Sequence, residues 1–488
     1  MKEAAVAIAR PPEARLAPPP SRAAAAVPVP YDRAIGAGVS AALVWGVLAF
    51  GAVHDWALWP LAAGCALVAV LVFVRAGVRP HLGLVLASAP VAAALALQLV
   101  PLPGGMRDAL SPGLAGFLRT YDLQAAAGQG DFHPLSVAPL ATARGLALFV
   151  VFVAFAAAVA IWLARAGAVR RIAAVVTCAG TAVALFALIQ KATFNGKIYW
   201  FWESRFGAAG NYYGPFVNRN HFAGWMLLAS AVVAGYLVGQ VAVSGRRARA
   251  GWRDRVLWLS SPEASRILLT ASALLVMLVA LVWSMSRSGM AGGALAILLL
   301  AATAAWRVRT HWKKVVASAA LLVALMFAAG WKGTDVIASW YGRTDTFAWR
   351  VQLWKDTAPA LRDFWRAGSG LNTYDVVMLL YPQTDRTLHA AQAHSDYVQL
   401  AVEGGLLVGV PALFTIGLLI RQIRRRLKEP QDELTWWIRM GAIAGICGMA
   451  VQEIVEFSLQ IPGVAVLFAV MMAIAIHEPV RSPLHHIS

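Results

Sequence analysis

The stretch that decides the fold runs from Arg219 to Gln240, RNHFAGWMLLASAVVAGYLVGQ. After Arg219 it carries no Asp, Glu, Lys or Arg, and it ends shortly before the basic run that starts at Arg246 and Arg247. An uncharged segment of roughly 20 residues crosses the hydrocarbon core of a bilayer as one helix. Working outward, similar segments recur at about 34–53, 56–75, 81–99, 141–164, 169–190, 265–284, 287–306, 313–330, 397–421, 434–452 and 460–477. The sequence therefore predicts an all-α polytopic membrane protein of about twelve transmembrane helices, with short helices in a large external loop. The composition agrees: 59% of the 488 residues are hydrophobic and 14% are charged, against about a quarter charged in soluble proteins. Cys65, Cys178 and Cys447 lie in separate apolar runs, so neither a disulfide framework nor a cysteine metal site is expected.

The net charge of +18 is distributed unevenly. With a cytoplasmic amino terminus, 27 of the 42 Lys and Arg and 9 of the 24 Asp and Glu fall inside, leaving 15 of each outside. That is the asymmetry of the positive-inside rule, and the opposite orientation reverses it. The expected organisation is a disordered cytoplasmic tail over 1–33, helices over 34–330, an external loop over 331–396, three helices over 397–477, and a cytoplasmic tail over 478–488. Three outer segments are long, at 101–140, 191–218 and 331–396, and loops of such length usually carry function. The last contains seven basic and seven acidic residues among several tryptophans. Phe347, Val351 and Trp354 recur there at helical spacing, which predicts a helix lying flat at the membrane surface.

Ionisable groups near membrane depth cost at least about 2.5–3.5 kcal/mol each, which makes them functional candidates. At the outer ends of the helices the chain places Arg219, Arg287, His394, Glu403, Glu453 and Glu456, with Arg343 and Arg350 in the large loop. Arginines hold phosphate oxygens through two parallel hydrogen bonds, histidine moves a proton near neutral pH, and helix amino termini favour anions. Together these suit transfer from a lipid diphosphate, whose departing group gains negative charge. Each residue also has a purely structural reading. Arg287 could snorkel to head groups, Arg343 and Arg350 could edge a surface helix, Ser395 and Asp396 could cap a helix with His394 incidental, and Glu403 could satisfy a neighbouring helix. His221 and His389 rival His394 for a histidine role. No His-Glu-x-x-His, outer Asp-x-Asp or phosphate-loop motif occurs, so neither an obligatory metal nor a nucleotide cofactor is expected.

The motifs resemble those of the O-antigen ligase and O-antigen polymerase superfamily of bacterial envelope glycosyltransferases. The resemblance rests on Phe50-Gly51-Ala52-Val53, Leu99-Val100-Pro101-Leu102-Pro103 with Leu110-Ser111-Pro112, and His133-Pro134-Leu135-Ser136-Val137 before Thr142. It continues through Phe216 to Ala223, Ser286-Arg287-Ser288-Gly289, and Arg350 and Trp354 ahead of Gly368-Ser369-Gly370-Leu371. It closes with His394-Ser395-Asp396-Tyr397, Glu403-Gly404-Gly405, and Glu456-Phe457 before Ile461-Pro462. It covers about residues 35–477.

The resemblance implies a metal-independent, inverting glycosyltransferase of the inner membrane, with both termini cytoplasmic and its active site facing the periplasm. Such an enzyme moves a glycan from undecaprenyl diphosphate to an acceptor hydroxyl. By the same resemblance His394 activates the acceptor, Arg219 and Arg287 hold the diphosphate together with Arg343 or Arg350, and Asn220, His221, Glu403 and Glu456 support them. The implied partners are a lipid-linked donor, a glycan or lipid A core acceptor, membrane lipids, and chain-length or export proteins; nucleic acid is not among them. A neutral outer face favours polymerisation of a surface polysaccharide over ligation to the phosphate-rich lipid A core. A secondary transporter or flippase is the rival class, but its charges belong near the midplane of two similar halves.

Overall fold

The computed structural model describes residues 29–75, 82–121, 123, 127, 132–203, 212–244, 260–308, 312–340, 346–381, 384 and 389–479. Each of the twelve apolar segments forms a helix: α1 (Val29–Leu48), α2 (Asp55–Val70), α3 (Leu82–Leu97), and, after two short helices α4 (Gly104–Leu110) and α5 (Pro112–Tyr121), α6 (Pro139–Leu163) and α7 (Ala168–Ala192). They continue as α8 (Arg219–Ser244), α9 (Pro262–Trp283), α10 (Arg287–Val308) and α11 (Trp312–Trp340). The large loop contributes α12 (Thr346–Phe364) and α13 (Tyr374–Val377), and α14 (Asp396–Lys428), α15 (Glu433–Gln452) and α16 (Pro462–Ile476) complete the chain. Strands β1 (Leu102–Pro103) and β2 (Phe132–His133) pair antiparallel across the first long loop. Among the described residues, eight helices are long and apolar enough to cross a membrane, and two shorter apolar helices join them. The protein is an all-α polytopic membrane protein.

Several boundaries differ from expectation. Helix α1 begins at Val29, so Val29–Arg33 are helical rather than part of a tail; Asp32 in its first turn accepts from Trp162 Nε1 at 2.9 Å and Arg171 at 2.8 Å, which fixes this turn to α6 and α7. The 1–28 part of the expected tail lies outside the described residues, as does 480–488. Helix α11 continues ten residues past the expected end at 330, into the start of the expected loop. Helix α14 runs seven residues beyond 421. Its last turns are held by Arg426, which is buried and bonds Glu429, Glu478 and the Ile476 carbonyl. Arg439, wholly buried beside it, donates to the carbonyls of Arg426 and His477.

The bundle is assembled by small residues. Lipid tails give helices no hydrophobic reason to leave them for one another, so close van der Waals approach has to hold the helices together. Helix α15 packs most extensively on α8. A Cβ added to Gly235 would lie 2.4 Å from the Trp437 carbonyl oxygen, and one on Gly441 would lie 2.5 Å from the Ala231 carbonyl oxygen. Gly292 of α10 and Gly448 of α15 meet in the same way. Helices α8, α10 and α15 are thus locked as a triplet, and it presents Arg219, Arg287 and Glu456 at one end of the bundle. Gly441→Leu should therefore cost about 1–3 kcal/mol or more through overpacking. It should lower the melting temperature and the monodisperse yield in detergent, whereas Gly409→Leu, where an added Cβ meets nothing within 4 Å, should leave both unchanged.

Candidate functional site

The site is carried by a buried backbone junction. Helix α14 breaks at Gly405, which has φ +53° and ψ −158°, a conformation only glycine adopts without strain. The break turns the α14 backbone toward the loop. The carbonyls of Val402 and Glu403 accept from Ser369 and Gly370, while Leu406 and Leu407 donate to the carbonyls of Trp365 and Arg366. A Cβ on Gly368 would stand 2.1 Å from the Glu403 carbonyl oxygen. On the other side of the same turn, Gln98 Nε2 donates to the carbonyls of Ala367 and Glu403, Val137 N donates to Ser369, and Thr142 Oγ1 donates to Leu371. Three of the quoted motifs, His133–Val137 with Thr142, Gly368–Leu371 and Glu403–Gly405, therefore meet at one point together with Gln98, and their role there is to fasten the loop to the bundle.

The Glu403 carboxylate completes this junction. It accepts the N–H groups of Asn372 at 3.0 Å and Tyr374 at 3.1 Å, where α13 begins, and the Gln399 amide at 3.1 Å. Gln399 also accepts from Ala393 N and donates to Gln460. Glu403 therefore acts at a distance from the arginines, as the helix-satisfying reading has it, and is linked through Gln399 to the backbone beside His394.

The polar cluster lies one layer further out. Asn218 caps α8 by accepting Asn220 N at 2.9 Å, which sets Arg219, Asn220 and His221 in the first turn. Asn220 Nδ2 donates to Glu456 Oε1 at 2.6 Å, and Arg350 of α12 forms an ion pair with the same oxygen. Gln452 Nε2 bonds the Asn220 carbonyl and Ser458 Oγ, each at 3.0 Å. Phe457 is met edge-on by both imidazoles, His221 at 4.7 Å and His394 at 5.0 Å between centroids, and Trp349 lies against His394 at 5.2 Å. Among the described residues His221 Nε2, His394 Nδ1 and Glu456 Oε2 are buried and make no hydrogen bond within the protein. These three polar atoms are available to a ligand.

His394 adopts φ +50°, a strained value for a residue with a side chain. Ser395 Oγ accepts from Val398 N and caps α14, so the strained residue sits directly before a fixed helix start. Burial, aided by the Arg350 guanidinium, holds the His394 imidazole down to about 4. It is neutral at physiological pH, with a lone pair to accept a proton. Burial pushes the Glu456 carboxyl up to about 7, and Arg350 and Arg219 pull against that rise. Arg219, Arg350, Glu456 and the two histidines thus share one electrostatic environment, which Lys191 at the end of α7 also reaches through Arg219.

Arg287 begins α10 with an exposed side chain. Its helix meets the first turns of α8 through Gly289, where an added Cβ would lie 2.5 Å from Ala223 Cβ. Arg343 lies outside the described residues; of the two alternatives, Arg350 is the one whose guanidinium the structure places in the cluster. His389 is exposed and stands apart from the described cluster contacts. Sequence reasoning passed over Gln452, Gln460 and Trp349. A buried amide at the end of an apolar helix was the available signal for Gln452.

Residues 272–413 match the family model described as O-antigen ligase. No curated protein and no solved structure matches the chain. The matched segment contains Arg287, Arg350, the loop junction, His394 and Glu403, while Arg219, Asn220, His221 and Glu456 come from helices outside it. Removing the Glu403 carboxylate takes the acceptor from the Asn372 and Tyr374 N–H groups, and for the buried Tyr374 N–H that costs about 1–3 kcal/mol. Glu403→Ala should accelerate proteolytic nicking between 365 and 394 several-fold, measured by limited proteolysis in detergent, with Glu403→Gln intermediate.

Proposed function

Given that residues 272–413 carry an O-antigen ligase domain and that the chain belongs to the O-antigen ligase and polymerase superfamily, we propose that it transfers a glycan from undecaprenyl diphosphate to an acceptor hydroxyl at the periplasmic face of the bacterial inner membrane. The single observation that carries this reading is the gathering of Arg219, Arg350 and neutral His394 around the buried Glu456 carboxylate, next to the start of α10. Guanidinium groups offer the diphosphate a fixed positive surface that grows in value as the leaving group charges. In the reaction His394 takes the acceptor hydroxyl proton while the oxygen forms the new bond to the anomeric carbon. The bond from that carbon to the diphosphate oxygen breaks, and the lipid diphosphate departs with the electron pair. Attack opposite the leaving group inverts the anomeric centre, and arginine charge serves where other transferases use a metal.

The neutral outer face favours a growing glycan as acceptor, which makes the protein a polymerase of a surface polysaccharide. Ligation to lipid A core is the second reading, favoured by the description of the matched family. A transporter is less well supported, because the charges gather at one end of the bundle around a loop junction.

His394→Ala, Arg219→Ala and Arg287→Ala should each abolish long-chain glycan while the protein stays inserted; loss of a general base alone costs about 10²–10⁴-fold. Normal glycan ladders in all three would contradict the mechanism. The pH dependence has a definite sign as well. Protonation of His394 should give the free enzyme an acid limb near pH 4. Since Arg350 lowers the affinity of that imidazole for a proton, Arg350→Met should move the acid limb of kcat/KM to higher pH.

A further inference from the structure

The amino terminus of α14 is docked on the turn that follows α15 by more than apolar packing. Asp396 N donates to the carbonyls of Glu453 at 3.2 Å and Glu456 at 3.0 Å. Gln460 Nε2 donates to Asp396 Oδ1 at 2.7 Å, and Ser458 N donates to Glu453 Oε2 at 2.7 Å. Beside the backbone bond that joins the two residues, the Asp396 and Glu453 carboxyl groups are neighbours within hydrogen-bonding reach. Glu453 is 2% exposed, and among the described residues no N–H or hydroxyl group reaches its Oε1. Two carboxylates offer only acceptors, so a hydrogen bond between them requires one bound proton.

We propose that Asp396 and Glu453 share a single proton and form a latch that positions His394 for transfer. The inference rests on the glycan-transfer reading only for its effect on rate; the shared proton stands independently of it. The latch joins α14, two residues past the strained His394, to the turn that carries Glu456 and Phe457. Both histidine contacts and the Arg350 ion pair depend on that turn. The pair faces Tyr397 on α14 and Glu456 on the turn; Arg350 of α12 and Arg219 of α8 lie beyond Glu456, and His394 precedes it. Burial and the Asp396 charge hold the Glu453 carboxyl well above the usual carboxylate range, so the proton stays at neutral pH. As the pH rises past that raised value the proton leaves, two like charges face each other in a buried place, and the latch opens.

The test uses the purified full-length protein in lipid nanodiscs. Infrared difference spectra between wild type and Glu453→Gln should show one protonated carboxylic C=O band that disappears on alkaline titration. In a transfer assay Glu453→Ala should lower kcat about tenfold or more, as a displaced catalytic group does, with KM for the lipid-diphosphate donor little changed. Glu453→Gln, whose amide can donate to Asp396 without a titrating proton, should recover most of that kcat and lose the alkaline limb of the wild-type profile. Absence of the carboxylic band, or an alkaline limb identical in Glu453→Gln and wild type, would overturn the latch and leave the transfer reading intact. A band present in protein that transfers no glycan would sink the transfer reading and leave the shared proton standing.

Discussion

The buried carboxylate of Glu456 is the interaction on which the site depends. One of its oxygens receives Asn220 from the first turn of α8 and Arg350 from the loop helix α12. The backbone of the same residue accepts the N–H of Asp396, where α14 starts. Three elements far apart in the chain are thereby tied to one acidic residue in a turn. A buried ion pair adds little net stability, since desolvation offsets much of the attraction, but removing one partner is expensive. Its effect is geometric. Arg350 sits on α12, so the pair draws that loop helix toward the amino end of α8.

The rest of the architecture keeps that turn and that loop in place. The junction at Gly368, Ser369 and Gly370 fastens the loop from below through backbone hydrogen bonds to the broken α14 and to Gln98, Val137 and Thr142. The cluster above fastens it through charge. Between the two lies His394, with strained backbone, neutral imidazole and an unpartnered Nδ1. Strain of this kind persists only where the surroundings overdetermine it, and here a helix cap on one side and the α15–α16 turn on the other supply that determination.

The fold was legible because crossing a bilayer imposes a length and an apolar composition that a sequence cannot hide. All twelve segments were placed within a few residues, apart from the ends of α1, α11 and α14. Those ends are set by contacts, such as Asp32 with Arg171 and Arg426 with Glu478, and hydropathy does not register contacts. The site was legible in part. Arg219, His394 and Glu456 stand out as charges at helix ends; Arg219 lies within electrostatic reach of the Glu456 carboxylate, and His394 packs on the neighbouring Phe457. Glu403 stood out for the same reason, yet it serves the junction rather than the cluster. A single sequence shows that a buried carboxylate needs donors without showing which ones. The pairing of Asp396 with Glu453 depends on how two turns meet in space, and no spacing in the chain encodes it.

The account stands or falls on whether the arginine and histidine cluster performs transfer from a lipid diphosphate. The most direct measurement is the release of undecaprenyl diphosphate by purified protein given a lipid-diphosphate oligosaccharide and an acceptor in the presence of a chelator. The account predicts release by wild type, no release by His394→Ala despite retained donor binding, and weakened donor binding in Arg219→Ala. Equal release by wild type and His394→Ala, or donor binding indifferent to Arg219, would contradict it.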